Sequence, residues 1–114
     1  MSKTVLSSLT TRPRNATRHG HEYVDFHCGS NSTVPGTQRP VPVNWVFSGE
    51  TACIYCAGSL TYDFIGRYSV KTSVAGEYTL RVENITVNDG GIYTCIDNAG
   101  FGPEEASAYL IVTG

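Results

Sequence analysis

The feature that most limits what this chain can fold into is a set of three side chains at fixed separations: Cys28, Trp45 and Cys95. Trp45 lies 17 residues after Cys28, enough for one loop and a returning strand. The second cysteine closes the run Asp89-Gly90-Gly91-Ile92-Tyr93-Thr94-Cys95, with a tyrosine two residues before it. A cysteine on one inner strand and a cysteine on a facing sheet can bridge two layers with a tryptophan packed against the bridge. Closing a segment that long contributes roughly 4 kcal/mol in the loop-entropy account of disulfides.

The rest of the chain has the texture this set requires. Signals for helix are nearly absent. Short alternating runs rich in Val, Ile, Thr and Tyr are separated by Gly, Pro, Asn and Asp, as in an all-β domain. Tyr23 to Cys28 points Val24, Phe26 and Cys28 to one side, and Val43 to Phe47 points Val43, Trp45 and Phe47 inward. Tyr68 and Val70, Leu80 and Val82, then Ile92 to Ile96 and Ala106 to Val112 continue the pattern. Ser48-Gly49-Glu50 reads as a hairpin turn. Eight or nine short strands of this kind make a sandwich or barrel. The expected organisation is a single domain over 1–114, with 1–20 an irregular segment and first strand broken near Pro13.

At Cys28, Trp45, Leu80-x-Val82 and Asp89-x-Gly91-x-Tyr93-x-Cys95 the chain resembles an immunoglobulin-superfamily domain. The resemblance implies a two-sheet antiparallel β-sandwich, a Cys28–Cys95 bridge with Trp45, Tyr93 and Leu80 in the core, and an Arg67–Asp89 ion pair closing one end. The 66 residues between the cysteines exceed what constant or intermediate domains usually hold, which implies the variable type with two extra edge strands, C′ and C″. Phe101-Gly102-Pro103-Glu104 resembles the Phe-Gly-x-Gly joining motif, with Glu104 where the second glycine would stand. The pattern is similar to the VJ-type immunoglobulin proteins of lancelets; Asn98-Ala99-Gly100-Phe101-Gly102 also resembles intermediate-set adhesion domains, and the length between the cysteines favours the variable set.

In the lettering of that family, strands G, F, C, C′ and C″ form one sheet. Only Ile96 to Gly100 separate Cys95 from Phe101, too few for a long probing loop, so recognition is expected on the flat outer face of this sheet. Alternation sets Val46, Ile96, Tyr109 and Ile111 outward there, with Tyr55 beside them, as a patch for a protein partner. Such a patch can pair with its own copy about a two-fold axis, and a homodimer is the simplest arrangement. The alternative is a recognition module for a foreign carbohydrate or protein, with Tyr62 and Phe64 as an aromatic platform and Tyr68 more simply in the core.

Cys53 and Cys56 stand where strand C′ should run. Residues i and i+3 of a regular strand point to opposite faces, so a local disulfide needs a kink, for which Gly58 and an irregular edge offer room. An intermolecular bridge ranks second, and metal or redox chemistry third, since no helix follows and His19, His21 and His27 have no ligand spacing.

The sequons at Asn15, Asn31 and Asn84, with the even cysteine count, imply an extracellular domain, secreted or a cell-surface ectodomain. A net charge of −2 with scattered Lys and Arg offers nothing to nucleic acid, and no apolar run is long enough for membrane insertion. No nucleophile elbow, phosphate loop or paired carboxylates occur. Glu104-Glu105 reads as a solvated strand edge and His27 as a surface histidine. No enzyme activity, no cofactor and no metal are therefore expected.

Overall fold

The computed structural model describes residues 8–47, 52–97 and 104–114. Eleven strands make up almost all of its regular structure: β1 (Leu9–Thr11), β2 (Ala16–His19), β3 (Val24–Phe26), β4 (Gly29–Ser30), β5 (Asn44–Phe47), β6 (Ala52–Cys56), β7 (Ser59–Leu60), β8 (Tyr68–Lys71), β9 (Thr79–Val82), β10 (Gly91–Asp97) and β11 (Glu104–Thr113). Two single turns of 3₁₀-helix lie at Tyr62–Phe64 and Val87–Asp89.

One layer is a six-stranded sheet in the order β2-β11-β10-β5-β6-β7, and the other is the three-stranded sheet β3-β9-β8. A small third pair, β1 with β4, extends the second layer. The chain thus changes layers between β1 and β2, at Arg12 to Asn15, where Pro13 cannot donate to either ladder. All pairings are antiparallel except β2 with β11, which run parallel from Ala16↔Leu110 to His19↔Thr113. The C′ and C″ edge strands correspond to β6 and β7, the latter only two residues long.

The core sits between the layers because the strands alternate. On β10 Tyr93, Cys95 and Asp97 point inward; on β5, Trp45 and Phe47 do so. Cys28 and Cys95 are joined across the layers, Cα to Cα 6.6 Å, and Trp45, Tyr93, Phe26 and Leu80 are fully buried around them. Phe26 stacks on Tyr93 at 5.1 Å and Phe47 lies against the same ring at 4.9 Å. Trp45 also satisfies its indole by donating to the Tyr78 carbonyl at 2.9 Å. Gly91 is required by this packing: a Cβ there would come within 2.8 Å of the Phe47 ring.

Two carboxylates close the ends of the sandwich. At one end Asp89 accepts from Arg67 (2.8 and 3.1 Å), from the Tyr68 hydroxyl (2.8 Å) and from the Thr86 amide (2.8 Å). The Tyr93 hydroxyl donates to the Asp89 carbonyl at 2.6 Å, the tyrosine corner of such sandwiches. Burial drives the Tyr68 hydroxyl up to about 12 and raises the Tyr93 hydroxyl as well, so both stay donors. At the other end the fully buried Asp97 accepts from the hydroxyls of Ser30 (2.6 Å) and Ser32 (2.8 Å), fastening the base of the loop after β4 to the end of β10.

Glu104 is not the solvated edge residue that the sequence suggests. Its carboxylate accepts from the Ser8 amide and hydroxyl and from the Leu9 amide, and pairs with Arg12. A glutamate at the start of β11 thereby holds β1 in place across 96 residues of sequence. Glu104→Ala is expected to cost about 1–3 kcal/mol by leaving those donors without their charged acceptor. Faster hydrogen exchange at the Ser8 and Leu9 amides, with β10 amides unchanged, is the signature to look for.

Candidate interaction face

The outer side of the six-stranded sheet is assembled by pairing register. Val46 of β5 lies opposite Thr94 of β10, Asn44 opposite Ile96, and Ile92 opposite Tyr109 of β11. Cross-strand partners share a face, so Val46, Ile92, Thr94, Ile96, Tyr109 and Ile111 all point away from the core. Tyr109 and Ile111 are more than half exposed, at 53% and 54%. Val46, Ile92 and Ile96 are half-buried in the plane of the sheet. Thr94 and Ser107 bond to each other at 2.8 Å, which uses one hydroxyl proton of the pair and leaves the other for solvent or a ligand.

The opposite layer is of another character. Asp25 and Arg81 form a two-pronged pair at 2.7 and 2.9 Å, and the Arg81 guanidinium lies 4.2 Å from the Tyr23 ring centre. The hydrogen bonds from Arg81 hold the Asp25 carboxyl below the usual carboxylate range, against a smaller upward push from burial. His27 is exposed there, with Nδ1 3.2 Å from the Thr79 hydroxyl. One face is charged and internally paired; the other sets Val46, Ile92, Ile96, Tyr109 and Ile111 among the polar Asn44, Thr94, Glu105 and Ser107.

Tyr55 departs from the expected face. It is 7% exposed and turned into the core, where burial raises its hydroxyl. The cause is a slip in the β5–β6 pairing. Phe47 faces Ala52 and Val46 faces Cys53, but Trp45 faces Tyr55, so Ile54 is an extra residue on β6. A bulge of this kind shifts the alternation by one, and Ile54 and Tyr55 both point inward, at 0% and 7% exposure.

The same slip resolves the second cysteine pair. With the parity changed between them, Cys53 and Cys56 share the outer face, and they are joined to each other with Cα atoms 6.3 Å apart. Residue types alone carry no signal for a bulge; two apolar residues enclosed by cysteines i and i+3 are the nearest thing to one. The hairpin that follows needs left-handed backbone at both central residues, Ala57 (φ 54°) and Gly58 (φ 83°).

Of the remaining singled-out residues, Tyr62 is 85% exposed, Phe64 packs edge-on against Tyr68 at 5.0 Å, and Tyr68 is buried. Asn15, Asn31 and Asn84 are all exposed. Asn15 Oδ1 accepts from the Tyr109 amide at 2.8 Å, and Asn84, at a positive φ of 50°, has Oδ1 3.0 Å from His21 Nδ1. The Ser48-Gly49-Glu50 turn, the Asn98 to Gly100 loop and Phe101-Gly102-Pro103 lie outside the described residues. Sequence reasoning passed over Asp97 and its two serines, because Asp97 reads as the first polar residue of a loop.

Two packed sheets, the bridge beneath Trp45 and the corner at Tyr93 define an immunoglobulin-type sandwich. The match of residues 7–112 to the family model of the immunoglobulin I-set domain shows that the chain belongs to that family. It is the intermediate set that matches, not the variable set implied by the length between the cysteines. A stretch of 48 residues is 44% identical to human leucine-rich repeat-containing protein 4C, covering 42% of this chain and 8% of that protein. Among solved structures, a chain of the complex of Dpr1 IG1 with DIP-eta IG1 superposes with a TM-score of 0.74 at 19% identity, covering 98% of this chain and 100% of that one. The titin I-band fragment I67–I69 gives 0.67 at 24% identity, over 91% of this chain and 31% of the fragment. At those identities the likeness is one of fold. No helix among the described residues is long and apolar enough to cross a membrane.

Proposed function

We propose that this chain is a recognition domain, without enzyme activity, that binds a protein partner through the outer face of the six-stranded sheet, with a second copy of itself as the simplest partner. One observation carries the reading: Val46, Ile92, Ile96, Tyr109 and Ile111 lie together on a solvent-facing sheet, where alternation ordinarily sets polar side chains. A face that presents one patch to its own copy about a two-fold axis needs no second surface. The described strands β6 and β7 add a variable-type edge to an intermediate-set chain and widen the sheet available for pairing. Immunoglobulin neighbours that were solved in complex with another immunoglobulin domain, the Dpr1–DIP-eta pair among them, support this use of the fold.

The setting is extracellular, as two disulfides and three sequons favour, and the chain is then a glycoprotein. Asn84 is on the 3₁₀ side of the sandwich, away from the face, whereas Asn15 bonds to β11 beside Tyr109, so a glycan at Asn15 would stand at its margin. Sedimentation of the oxidised domain over a wide concentration range, beside the variant Val46→Glu/Ile96→Glu, tests the proposal. The expected result is association that tightens with concentration and falls at least tenfold in the variant, whose melting temperature stays within a few degrees. A monomer at every concentration would remove self-pairing, and screening against cell-surface proteins and glycans would then decide between another protein and a carbohydrate held near Tyr62 and Phe64.

A further inference from the structure

We infer that the Cys53–Cys56 bridge is a thiol–disulfide exchange site that sets the register of β6 and, through it, whether Tyr55 faces the core or the interaction face. The two bridges of this domain differ in everything that governs attack by a thiolate. Cys28 and Cys95 are 2% and 0% exposed, sealed between the layers by Trp45. Cys53 and Cys56 are both half-buried at the outer surface, on the penultimate strand of the sheet, where only the two-residue β7 covers the edge. From Ala52 to Tyr62 there is no charged residue, so an approaching thiolate meets no carboxylate repulsion in this segment.

The chemistry balances with an external dithiol, small or carried by a dithiol oxidoreductase. Its thiolate attacks Cys56 Sγ, forming a mixed disulfide and breaking the Cys53–Cys56 bond. Cys53 leaves as thiolate and takes a proton from water; its sulfur already lies 3.7 Å from the Trp45 carbonyl, which can accept from the new S–H. The second thiol of the reductant then displaces Cys56. Two electrons have passed to the cysteine pair, and the reductant is left as its own disulfide.

The bridge spans the bulge, with Ile54 and Tyr55 inside its ring. While it is closed, Cys53 and Cys56 must share a face, which only the slipped register allows. Once open, that constraint is gone, and the regular pairing would set Ile54 opposite Trp45 and Tyr55 opposite Asn44. A slip of one residue reverses the faces. Tyr55 would then join Val46 and Ile96 on the outer surface. The effect on binding rests on the proposed use of that face; the exchange and the register change do not.

Graded dithiothreitol on the folded domain, followed by iodoacetamide and peptide mass spectrometry, tests the exchange. Complete labelling of Cys53 and Cys56 while Cys28 and Cys95 stay unlabelled is expected; both bridges opening together, or Cys53–Cys56 resisting until the domain unfolds, would overturn it. Tetranitromethane nitration of the variant Cys53→Ser/Cys56→Ser tests the register, with hydroxyl-radical footprinting of the reduced wild type as a second measurement. Tyr55 modification several-fold above that of the oxidised protein is expected. Equal protection in both forms would show that the bulge holds without the bridge and would sink the register change. If neither redox form self-associates, self-pairing through the face falls while the labelling pattern still decides the exchange site.

Discussion

Asp89→Ala is expected to lower the unfolding free energy by about 3 kcal/mol, seen as a lower urea midpoint with an unchanged slope. The size follows from what the carboxylate holds. Its side chain is 4% exposed and accepts from Arg67, Tyr68 and Thr86. Removing it leaves the buried Tyr68 hydroxyl short of an acceptor, at about 1–3 kcal/mol, and takes the charged acceptor from the part-buried Thr86 amide, which adds to that. Arg67 adds little, because its side chain is 41% exposed and water can take it. Asp25→Asn, by contrast, should cost less than about 1 kcal/mol, since both members of its pair are about a quarter exposed.

The same site imposes a pH dependence. Burial alone would raise the Asp89 carboxyl, but the donors from Arg67, Thr86 and Tyr68 outweigh it and hold the group below the ordinary carboxylate value. The unfolded chain therefore binds this proton more readily than the folded one. The stability contributed by Asp89 is fully present above roughly pH 4, where the unfolded carboxyl is ionised, and is lost as pH falls through the lower folded value. Wild-type stability should fall below about pH 4 more steeply than that of Asp89→Ala. Parallel curves for the two proteins would mean that Asp89 is not the group that titrates.

Trp45→Ala should be at least as damaging, about 3–5 kcal/mol, because a fully buried indole leaves a cavity at the centre of both layers. Part of that cost is polar: the Tyr78 carbonyl loses its donor at 2.9 Å. Trp45→Phe separates the terms by keeping most of the ring and none of the N–H. Thermal unfolding of the three proteins should rank them wild type, Phe, Ala. If Phe proved equal to wild type, the indole hydrogen bond would contribute nothing net.

Much of the fold can be read in the residues because its determinants are local in kind. Alternation sets Trp45, Phe47, Tyr93 and Cys95 inward, and the spacing of Asp89, Gly91, Tyr93 and Cys95 describes a corner whose atoms are all close in sequence. The face is legible to the same depth, as long as the parity of each strand runs unbroken: Val46, Ile96, Tyr109 and Ile111 point outward by count alone. Tyr55 is lost at the bulge, since nothing in Ile54 says that it is the extra residue. Glu104 and Asp97 are lost for another reason. Each serves donors more than 60 residues away, and a carboxylate that meets its partners only after folding looks, in the sequence, like any surface acid.

The clasp of Ser30 and Ser32 on Asp97 has a bearing on how such a domain can change over time. Above it, Thr33 bridges Pro40 and the Val34 amide donates to the Arg39 carbonyl, so the stem of the loop is secured by backbone and by a buried acid. Residues 35–38 beyond that stem are all exposed and contribute nothing to the core. Substitutions and small insertions at the tip are therefore insulated from the frame, their energetic effects ending at the stem. A lineage can vary that tip freely and keep the same body beneath it.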